Sequence, residues 1–328
     1  MRQARIKVDA ELDQAAYHCM SRTVNGERLF DPAAREVFRR QLWLVAEYCG
    51  VEVLTYAILS NHFHVLVLVP CRTAVSDAEL LRRHRILYPK PTRFQAARLE
   101  VIESQLAHNG PEAQVWRRRQ LALMGDVSAF MKLLKQRFSI WFNKSHRRFG
   151  TLWSERFKSV LVEPEGAALR TVAAYIDLNA VRAGLTADPK DYRFCGYAEA
   201  VAGNESARAG LGKVNGGSAW PVTQAEYRLL LFGTGAEVRE RGGSIAEADF
   251  ERVVRAGGRL PLATALRCRW RHFSDGAVLG SRVFVAAQLA VKWRRTGQCD
   301  GDSPYPLPGL ADWGELSILR RPRHCAAT

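Results

Sequence analysis

The chain has 328 residues and a formal net charge of +15 at pH 7. Its length is enough to bury one large hydrophobic core or two smaller ones. A positive surplus of this size favours a polyanionic partner, of which nucleic acid is the commonest. No segment is apolar over the roughly 18 residues that a membrane-spanning helix needs, so we expect no membrane partner.

The N-terminus and the cysteines indicate a cytoplasmic protein. No apolar stretch of the kind found in signal peptides follows Met1 to Arg5. The seven cysteines are scattered and contain no CxxC pair, which argues against a zinc ribbon and against a disulfide framework. We therefore expect reduced thiols and a cytoplasmic location.

The first part of the chain predicts the order strand, helix, strand, strand. Residues 15–22 are partly alternating and predict the first strand. Asp31, with a proline after it, is a typical helix N-cap, and Gly50 is placed to end that helix. Residues 51–59 are β-branched and apolar. A two-residue connection then leads into another strand, which predicts an antiparallel hairpin.

The second strand of this hairpin carries an HxH motif, His62 and His64, followed by an apolar run at 65–69. Because side chains alternate along a strand, the two histidines should share one face, while Phe63 enters the core on the other. Two imidazoles on one face can bind a single divalent ion. Two polar residues that only hydrogen-bond their neighbours would give the same pattern, so the motif alone leaves both interpretations open.

Residues 71–125 break this pattern and predict a helical insertion, with helices near 77–87 and 111–123. Its arginine clusters at 82–85 and 117–119 are either solvated helix surface or part of a nucleic-acid footprint.

A strongly periodic helix begins after Asp126, and residues 152–162 predict a fourth strand. The order β-α-β-β-α-β predicts an α+β fold of the ferredoxin-like kind, an antiparallel sheet with helices on one face.

We expect residues 1–200 to form the first domain. The region after it is harder to interpret. Residues 203–217 are rich in Gly, Ser, Ala and Asn, which predicts a linker. Residues 201–328 are then predicted to form a mainly helical accessory region. A run at 267–273 interleaves arginines with aromatic residues, which favours DNA binding by this region.

A further helix, between the fourth strand and Gly184, carries the second chemical motif. Tyr175 and Asn179 are four residues apart, so their side chains are neighbours at the margin of an apolar stripe. A tyrosine in such a position is more often a packing residue than a nucleophile, and the helix alone does not identify a function. The apolar stripe consists of Leu169, Val172, Ile176 and Ala180.

In combination, these motifs resemble the one-tyrosine HUH transposases, and more narrowly the REP-associated tyrosine transposases. The resemblance covers about residues 10–200, outside the insertion. Family members often have Asn-Pro where this chain has Asn179-Ala180, and alanine, a better helix former, should not impair the site. The blocks that carry the resemblance are Tyr17-His18 with Ser21-Arg22, NHFHVLV from Asn61, Gly150 with LWSERFKS from Leu152, and YIDLNAVRAGL from Tyr175.

The resemblance implies a metal-dependent DNA strand transferase. His62 and His64, with the amide oxygen of Asn179, would bind Mg²⁺ or Mn²⁺. Tyr175 would attack a DNA phosphate and form a 5′-phosphotyrosine link. The chain has no GxxxxGK[ST] motif, in agreement with a reaction that conserves the phosphodiester energy in a covalent link.

The substrate implied by this resemblance is single-stranded DNA folded into hairpins, because a phosphate must leave a duplex to reach an ion on a sheet face. Trp153 is either a stacking platform for a base or a core residue. The resemblance also leaves a homodimer open. The candidate DNA contacts are Arg22, Arg156, Lys158 and Arg182.

Other functions fit parts of the sequence. A domesticated nucleic-acid-binding protein would keep the fold and the charge without the chemistry, but retention of all four predicted site residues argues against it. A metallohydrolase of the HxHxDH type would need ligands where this chain has Leu66 and Val67. Rolling-circle initiators and relaxases share HUH chemistry but commonly use a third histidine or other motifs, which the sequence does not reveal.

Overall fold

A computed structural model of the chain describes residues 6, 14–70, 74–90, 98–232, 266, 273, 277–296, 303–307 and 316–319. These residues form a mixed α+β structure, which confirms the predicted class. The strands are β1 Gln14–Arg22, β2 Glu52–Ile58, β3 His62–Pro70, β4 Lys158–Val162, β5 Val278–Ser281, β6 Tyr305–Pro306 and β7 Leu316–Ile318. The helices are α1 Pro32–Cys49, α2 Asp77–Leu87, α3 Leu99–His108, α4 Pro111–Leu121, α5 Val127–Ser145, α6 Gly166–Asp177, α7 Asn179–Arg182, α8 Gly196–Val201, α9 Glu205–Val214, α10 Trp220–Phe232 and α11 Arg282–Thr296.

The strands form one mostly antiparallel sheet in the order β2-β3-β1-β4-β5-β7-β6. β1 pairs with β4 in antiparallel register, from Ala16 opposite Val162 to Met20 opposite Lys158. The predicted hairpin of β2 and β3 is present, and its turn is closed by the Leu59 amide, which donates to the His62 carbonyl over 2.8 Å. The HxH motif therefore opens an interior strand, flanked by β2 and β1.

The C-terminal strands β5, β6 and β7 extend this sheet, which the prediction of a mainly helical C-terminal region missed. β5 lies parallel to β4, with Val278 opposite Leu161. Each of these strands has only two to four residues, too few for an alternating pattern to be recognised in a sequence. The division of the chain at residue 200 remains a prediction.

The chain contains two compact units. The first comprises Met1–Arg35, Val53–Leu68 and Trp153–Thr328. It contains the whole described sheet except one end of β2 and one end of β3. The second comprises Glu36–Glu52 and Val69–Leu152 and is helical in its described residues. None of the described helices is long and apolar enough to cross a membrane.

The second unit contains the predicted helical insertion. Helix α3 was not predicted, and its apolar residues Ile102 and Leu106 form a small core with Ala113 of α4. In the same unit, α1 and α5 pack through Phe38 and Phe138, whose ring centroids are 5.0 Å apart.

The arginine clusters of the insertion form ion pairs with carboxylates of the second unit. Hydrogen bonds from Arg82 and Arg83 hold the pKa of Glu79 down to about 2. Part of the positive charge expected to form a nucleic-acid footprint is therefore neutralised locally. The pairs are Arg82 with Glu79 and Glu47, Arg83 with Glu79, Arg85 with Glu103, and Arg117 with Asp77.

The outer edge of β2 is covered by the segment before α8. Cys195 forms an antiparallel bridge with Ala57, and the Ile58 amide donates to the Phe194 carbonyl over 2.9 Å. The Tyr192 hydroxyl donates to the Ile58 carbonyl over 2.7 Å. Both main-chain polar groups of Ile58 are thus satisfied at the end of the strand.

The predicted linker at 203–217 is instead helix α9, packed against the β2 main chain. Asn204 caps this helix by accepting a hydrogen bond from the Ala207 amide over 2.9 Å. A Cβ atom on Gly210 would lie 2.5 Å from the Val53 carbonyl oxygen and 2.7 Å from that of Leu54. Gly210 therefore provides close approach between helix and strand, a use of glycine that composition does not distinguish from a linker.

Gly210→Ala should lower the free energy of unfolding by about 1–3 kcal/mol, because the added methyl group collides with main-chain atoms. Gly212→Ala in the same helix is the matched control. Its Cβ would lie 3.4 Å from the nearest oxygen, an ordinary contact. This control should be neutral or stabilise by up to about 1 kcal/mol through helix propensity. Equal effects of both substitutions in urea unfolding would contradict the packing described for α9.

Candidate active site

The HxH histidines of β3 lie side by side on one face of the sheet, as predicted. The ring centroids of His62 and His64 are 5.2 Å apart. Phe63 between them is fully buried and packs against Trp153, with ring centroids 5.7 Å apart. Trp153 also contacts Phe30, and the structure thus places this indole in a packed aromatic group.

A third histidine, His18 of β1, joins this pair. His18 is fully buried, and its Nε2 lies 2.8 Å from Nδ1 of His64. Its Nδ1 lies 2.8 Å from the carbonyl oxygen of Phe273. Sequence reasoning assigned no role to His18. The signal was its place beside Tyr17 in the first block that carries the family resemblance, but the adjacency of β1 and β3 was needed to connect it with the HxH motif.

Burial keeps the imidazoles of His18 and His64 neutral. Loss of hydration lowers the pKa of His18 to about 4. It also brings the pKa of His64 well below the ordinary value, and the neighbouring His18, His62, Arg182 and Arg22 act in the same direction. A neutral imidazole is the form that can bind a metal ion, and His64 is in that form at neutral pH.

Tyr175 of α6 faces the same cluster. Its ring centroid lies 6.3 Å from those of His18 and His64. The ring of Phe273 lies 4.8 Å away on centroid distance, and only 4% of Tyr175 is exposed. The structure therefore brings the predicted nucleophile and the HxH motif together in a buried group.

Arg182 holds the tyrosine from the side of α7. Its guanidinium carbon lies 4.0 Å from the centroid of the Tyr175 ring, a cation–π geometry. Nη2 donates to the Tyr175 carbonyl over 2.7 Å, and Nη1 donates to the Leu266 carbonyl over 2.8 Å. The predicted contact of Arg182 with DNA is untested, and the side chain has protein partners in this conformation.

Asn179 begins α7, after Leu178 interrupts the helix with φ −77° and ψ 0°. Its Nδ2 donates to the carbonyls of Tyr175 and Ile176 over 3.2 and 3.0 Å. These two bonds orient the planar amide, so that Oδ1 points away from the helix main chain. That orientation leaves an amide oxygen as the ligand atom in the predicted site, although the ligand role itself remains a prediction.

The remaining predicted DNA contacts are exposed. Arg22 ends β1 and is close enough to His64 to depress its pKa. Lys158 begins β4, and its Nζ lies 3.7 Å from a carboxylate oxygen of Glu155. Arg156 precedes it on the same surface-exposed segment. Of the predicted DNA-binding run 267–273, only Phe273 lies within the described residues.

Two histidines and one asparagine suit a hard divalent ion only in part. Imidazole is preferred by later transition metals, whereas amide oxygen suits both Mg²⁺ and Mn²⁺. Two imidazoles that share one ion at about 2.1 Å per nitrogen have ring centroids roughly 5 Å apart, which agrees with the observed 5.2 Å. The described residues contain no group of three or more His, Cys, Asp or Glu with metal-binding geometry.

Asp177, between Tyr175 and Asn179, fixes this helix to its surroundings. It is fully buried, and Oδ1 accepts hydrogen bonds from the Thr55 hydroxyl over 2.8 Å and the Tyr197 amide over 3.1 Å. Oδ2 accepts from the Tyr227 hydroxyl over 2.7 Å. Burial raises the pKa of Asp177 to about 7, although these three hydrogen bonds act in the opposite direction.

Comparisons with known proteins give a likeness to solved structures and no family assignment. No protein-family model matches the chain, and no curated protein matches it. A solved structure described as a REP-associated tyrosine transposase bound to a REP hairpin is 13% identical. The likeness covers 62% of this chain and 87% of that one, with a TM-score of 0.39.

Replacing Asp177 with asparagine should change how stability depends on pH. The carboxyl has an ordinary pKa of 3.8 when unfolded and about 7 when folded, so the folded state binds the proton more tightly between these values. The resulting stabilisation, on the order of 4 kcal/mol, is complete below about pH 4 and is lost as pH rises to about 7. Asp177→Asn cannot ionise and should lack this slope in urea unfolding measured from pH 4 to 8.

Asp191→Asn is the control for this experiment, since Asp191 is exposed. Its unfolding curve should keep the slope of the unmodified protein. If Asp177→Asn keeps that slope as well, the buried carboxyl does not titrate as described.

Proposed function

We propose that this protein is a transposase-like enzyme that cleaves and rejoins single-stranded DNA through a covalent link to Tyr175. The observation that carries this proposal is the grouping of Tyr175 of α6 with the HxH histidines of β3, with ring centroids 6.3 Å apart for Tyr175 and His64. Two motifs that are far apart in the sequence and carry the family resemblance thus meet in one site.

The chemistry assigned to Tyr175 is attack of its phenol oxygen on a DNA phosphorus atom. A bond forms between that oxygen and phosphorus, the bond from phosphorus to the 3′ oxygen breaks, and the phenol loses its proton. The 3′ oxygen takes up a proton and leaves as a hydroxyl. Because the phosphodiester energy stays in the 5′-phosphotyrosine link, a 3′-hydroxyl on another strand can reverse the step without a nucleotide cofactor.

The groups proposed to hold a divalent ion are His62, His64 and the amide oxygen of Asn179. Bound Mg²⁺ or Mn²⁺ would polarise the scissile phosphate and offset the charge that develops in the transition state. The neutral form of His64 and the oriented amide of Asn179 support this ligand set. With only three protein ligands, coordination positions stay available to phosphate oxygens and water.

The proposed substrate is single-stranded DNA with hairpin-forming repeats. Arg22 on β1, Arg156 in the segment before β4 and Lys158 on β4 are exposed cations that can contact phosphates. Arg182 and Phe273 cover Tyr175 in the described conformation. DNA binding must therefore displace these side chains, or move α6, before the phenol reaches a phosphate.

The strand order β2-β3-β1-β4 supports the finer fold proposal. In a ferredoxin-like sheet the first and third strands are central neighbours, and here β1 and β3 bring His18 and His64 together. We assign this four-stranded part to a ferredoxin-like core that β5, β6 and β7 extend.

Tyr175→Phe should abolish a covalent protein–DNA adduct formed with a single-stranded hairpin oligonucleotide and Mn²⁺. The substitution removes only the attacking oxygen, so DNA binding should persist. Tyr88→Phe is the matched control, because Tyr88 lies on the second unit and is 44% exposed. The adduct is measured by denaturing gel electrophoresis, and duplex DNA of the same sequence should react poorly.

Persistence of the adduct in Tyr175→Phe would show that another residue is the nucleophile. Tyr192 and Tyr197 would then be the next candidates, although the Tyr192 hydroxyl donates to the Ile58 carbonyl. If no hairpin DNA gives an adduct while binding stays strong, the alternative of a domesticated, non-catalytic nucleic-acid-binding protein is favoured.

His62→Ala and His64→Ala should each abolish cleavage, and a chelator should do the same to the unmodified protein. The physical reason is loss of the charge that stabilises the transition state, and the effect should be at least about 100-fold on the cleavage rate. His108→Ala, an exposed residue of α3, is the control. Full activity in chelator would contradict the metal requirement. In all variants, DNA binding should weaken steeply with salt as counterions are released.

A further inference from the structure

Both histidines of the HxH motif are held by a hydrogen bond to Nδ1. Nδ1 of His64 lies 2.8 Å from Nε2 of His18, and Nδ1 of His62 lies 2.7 Å from Oδ1 of Asn61. Each of these two partners is itself anchored to a main-chain carbonyl. His18 bonds to the carbonyl of Phe273 over 2.8 Å, and Nδ2 of Asn61 donates to that of Gly26 over 3.1 Å.

The carbonyl of Phe273 determines where the protons lie on His18 and His64. A carbonyl oxygen only accepts hydrogen bonds, so Nδ1 of His18 carries the hydrogen. Nε2 of neutral His18 then has a lone pair and accepts a hydrogen bond from Nδ1 of His64. The reverse direction would require His18 to be a fully buried imidazolium, with the charge of Arg182 nearby opposing it.

The carbonyl of Gly26 determines the orientation of Asn61 in the same way. Because the amide nitrogen of Asn61 donates to Gly26, the amide oxygen is the atom that faces His62. An amide oxygen only accepts, so Nδ1 of His62 is the donor. Two unrelated arrangements, one from a neighbouring strand and one from the turn before β3, therefore put the hydrogen of both imidazoles on Nδ1.

We propose that His18 and Asn61 are positioning residues that leave the lone pairs of His64 and His62 on Nε2, where a divalent ion would bind. The inference rests on the function proposed above and adds two residues that touch neither the ion nor DNA. Partners of this kind fix the tautomer and orientation of metal-ligating histidines, and their loss typically reduces metal affinity by about 10- to 100-fold.

The first test is ¹⁵N NMR of the imidazole nitrogens in the full-length, metal-free protein at pH 7. We expect a hydrogen on Nδ1 and no hydrogen on Nε2 in both His62 and His64. The signals are assigned from their loss in His62→Gln and His64→Gln. A hydrogen on Nε2 of His64, or an imidazolium at His18, would overturn the proposal. This readout depends on neither DNA nor catalysis.

The second test is calorimetric titration of the DNA-free protein with Mn²⁺. His18→Leu removes the acceptor and should weaken Mn²⁺ binding about 10- to 100-fold, whereas His18→Gln keeps an acceptor and a donor and should recover most of it. Asn61→Leu should weaken binding likewise, and Asn61→Asp, which keeps the acceptor, should not. His108→Gln is the control. Unchanged affinity in a folded His18→Leu protein would overturn the proposal.

Pulsed EPR of the bound Mn²⁺ separates a positioning role of His18 from a ligand role. Two coordinated imidazole nitrogens are expected, and three would make His18 a ligand and contradict the proposal. If the unmodified protein binds no Mn²⁺, the metal requirement of the proposed function fails, while the nitrogen spectrum still decides the tautomer. If His18→Leu does not fold, the Mn²⁺ affinity of His18→Gln and the ¹⁵N spectrum of the unmodified protein test the proposal instead.

Discussion

The position of the tyrosine helix depends on one buried carboxylate, that of Asp177. Its two oxygens accept hydrogen bonds from three different elements of the first unit: Thr55 of β2, the main chain of Tyr197 in α8, and Tyr227 of α10. A buried carboxylate with unmet hydrogen bonds would be costly, so its three donors must stay in place together. Asp177 thereby holds α6 at a fixed height on the sheet, and with it Tyr175.

The site itself combines burial with directed hydrogen bonds. Burial lowers the pKa of His18 and His64, so both imidazoles are neutral. The main-chain carbonyl of Phe273 then determines which nitrogen of His18 carries the remaining hydrogen. Arg182 supplies a positive charge beside Tyr175, and this charge helps to lower the pKa of His18 and His64. The result is a pair of neutral imidazoles, those of His18 and His64, near a cation, and the proposed function rests on this arrangement.

The local features of this site could be predicted from the sequence, whereas the long-range ones could not. Period-two alternation correctly placed His62 and His64 on one face, and helical periodicity correctly placed Tyr175 beside the core. His18 was missed because its role depends on which strands are neighbours, and the strand order of the expected ferredoxin-like sheet was not applied to the side chains of the first strand. The role of Gly210 was predicted wrongly because glycine is typical both of flexible linkers and of close packing, and composition does not distinguish the two.

The covered edge of β2 has a consequence for how copies of this chain can associate. The main-chain groups of Ile58 already have partners in the segment before α8, and at the other end of the described sheet β6 has only two residues. An exposed edge strand with free amides and carbonyls is the usual template for intermolecular strand addition and aggregation. At this end of β2, a strand from a second molecule could pair with Ile58 only by displacing Phe194 and Tyr192 from its main-chain groups.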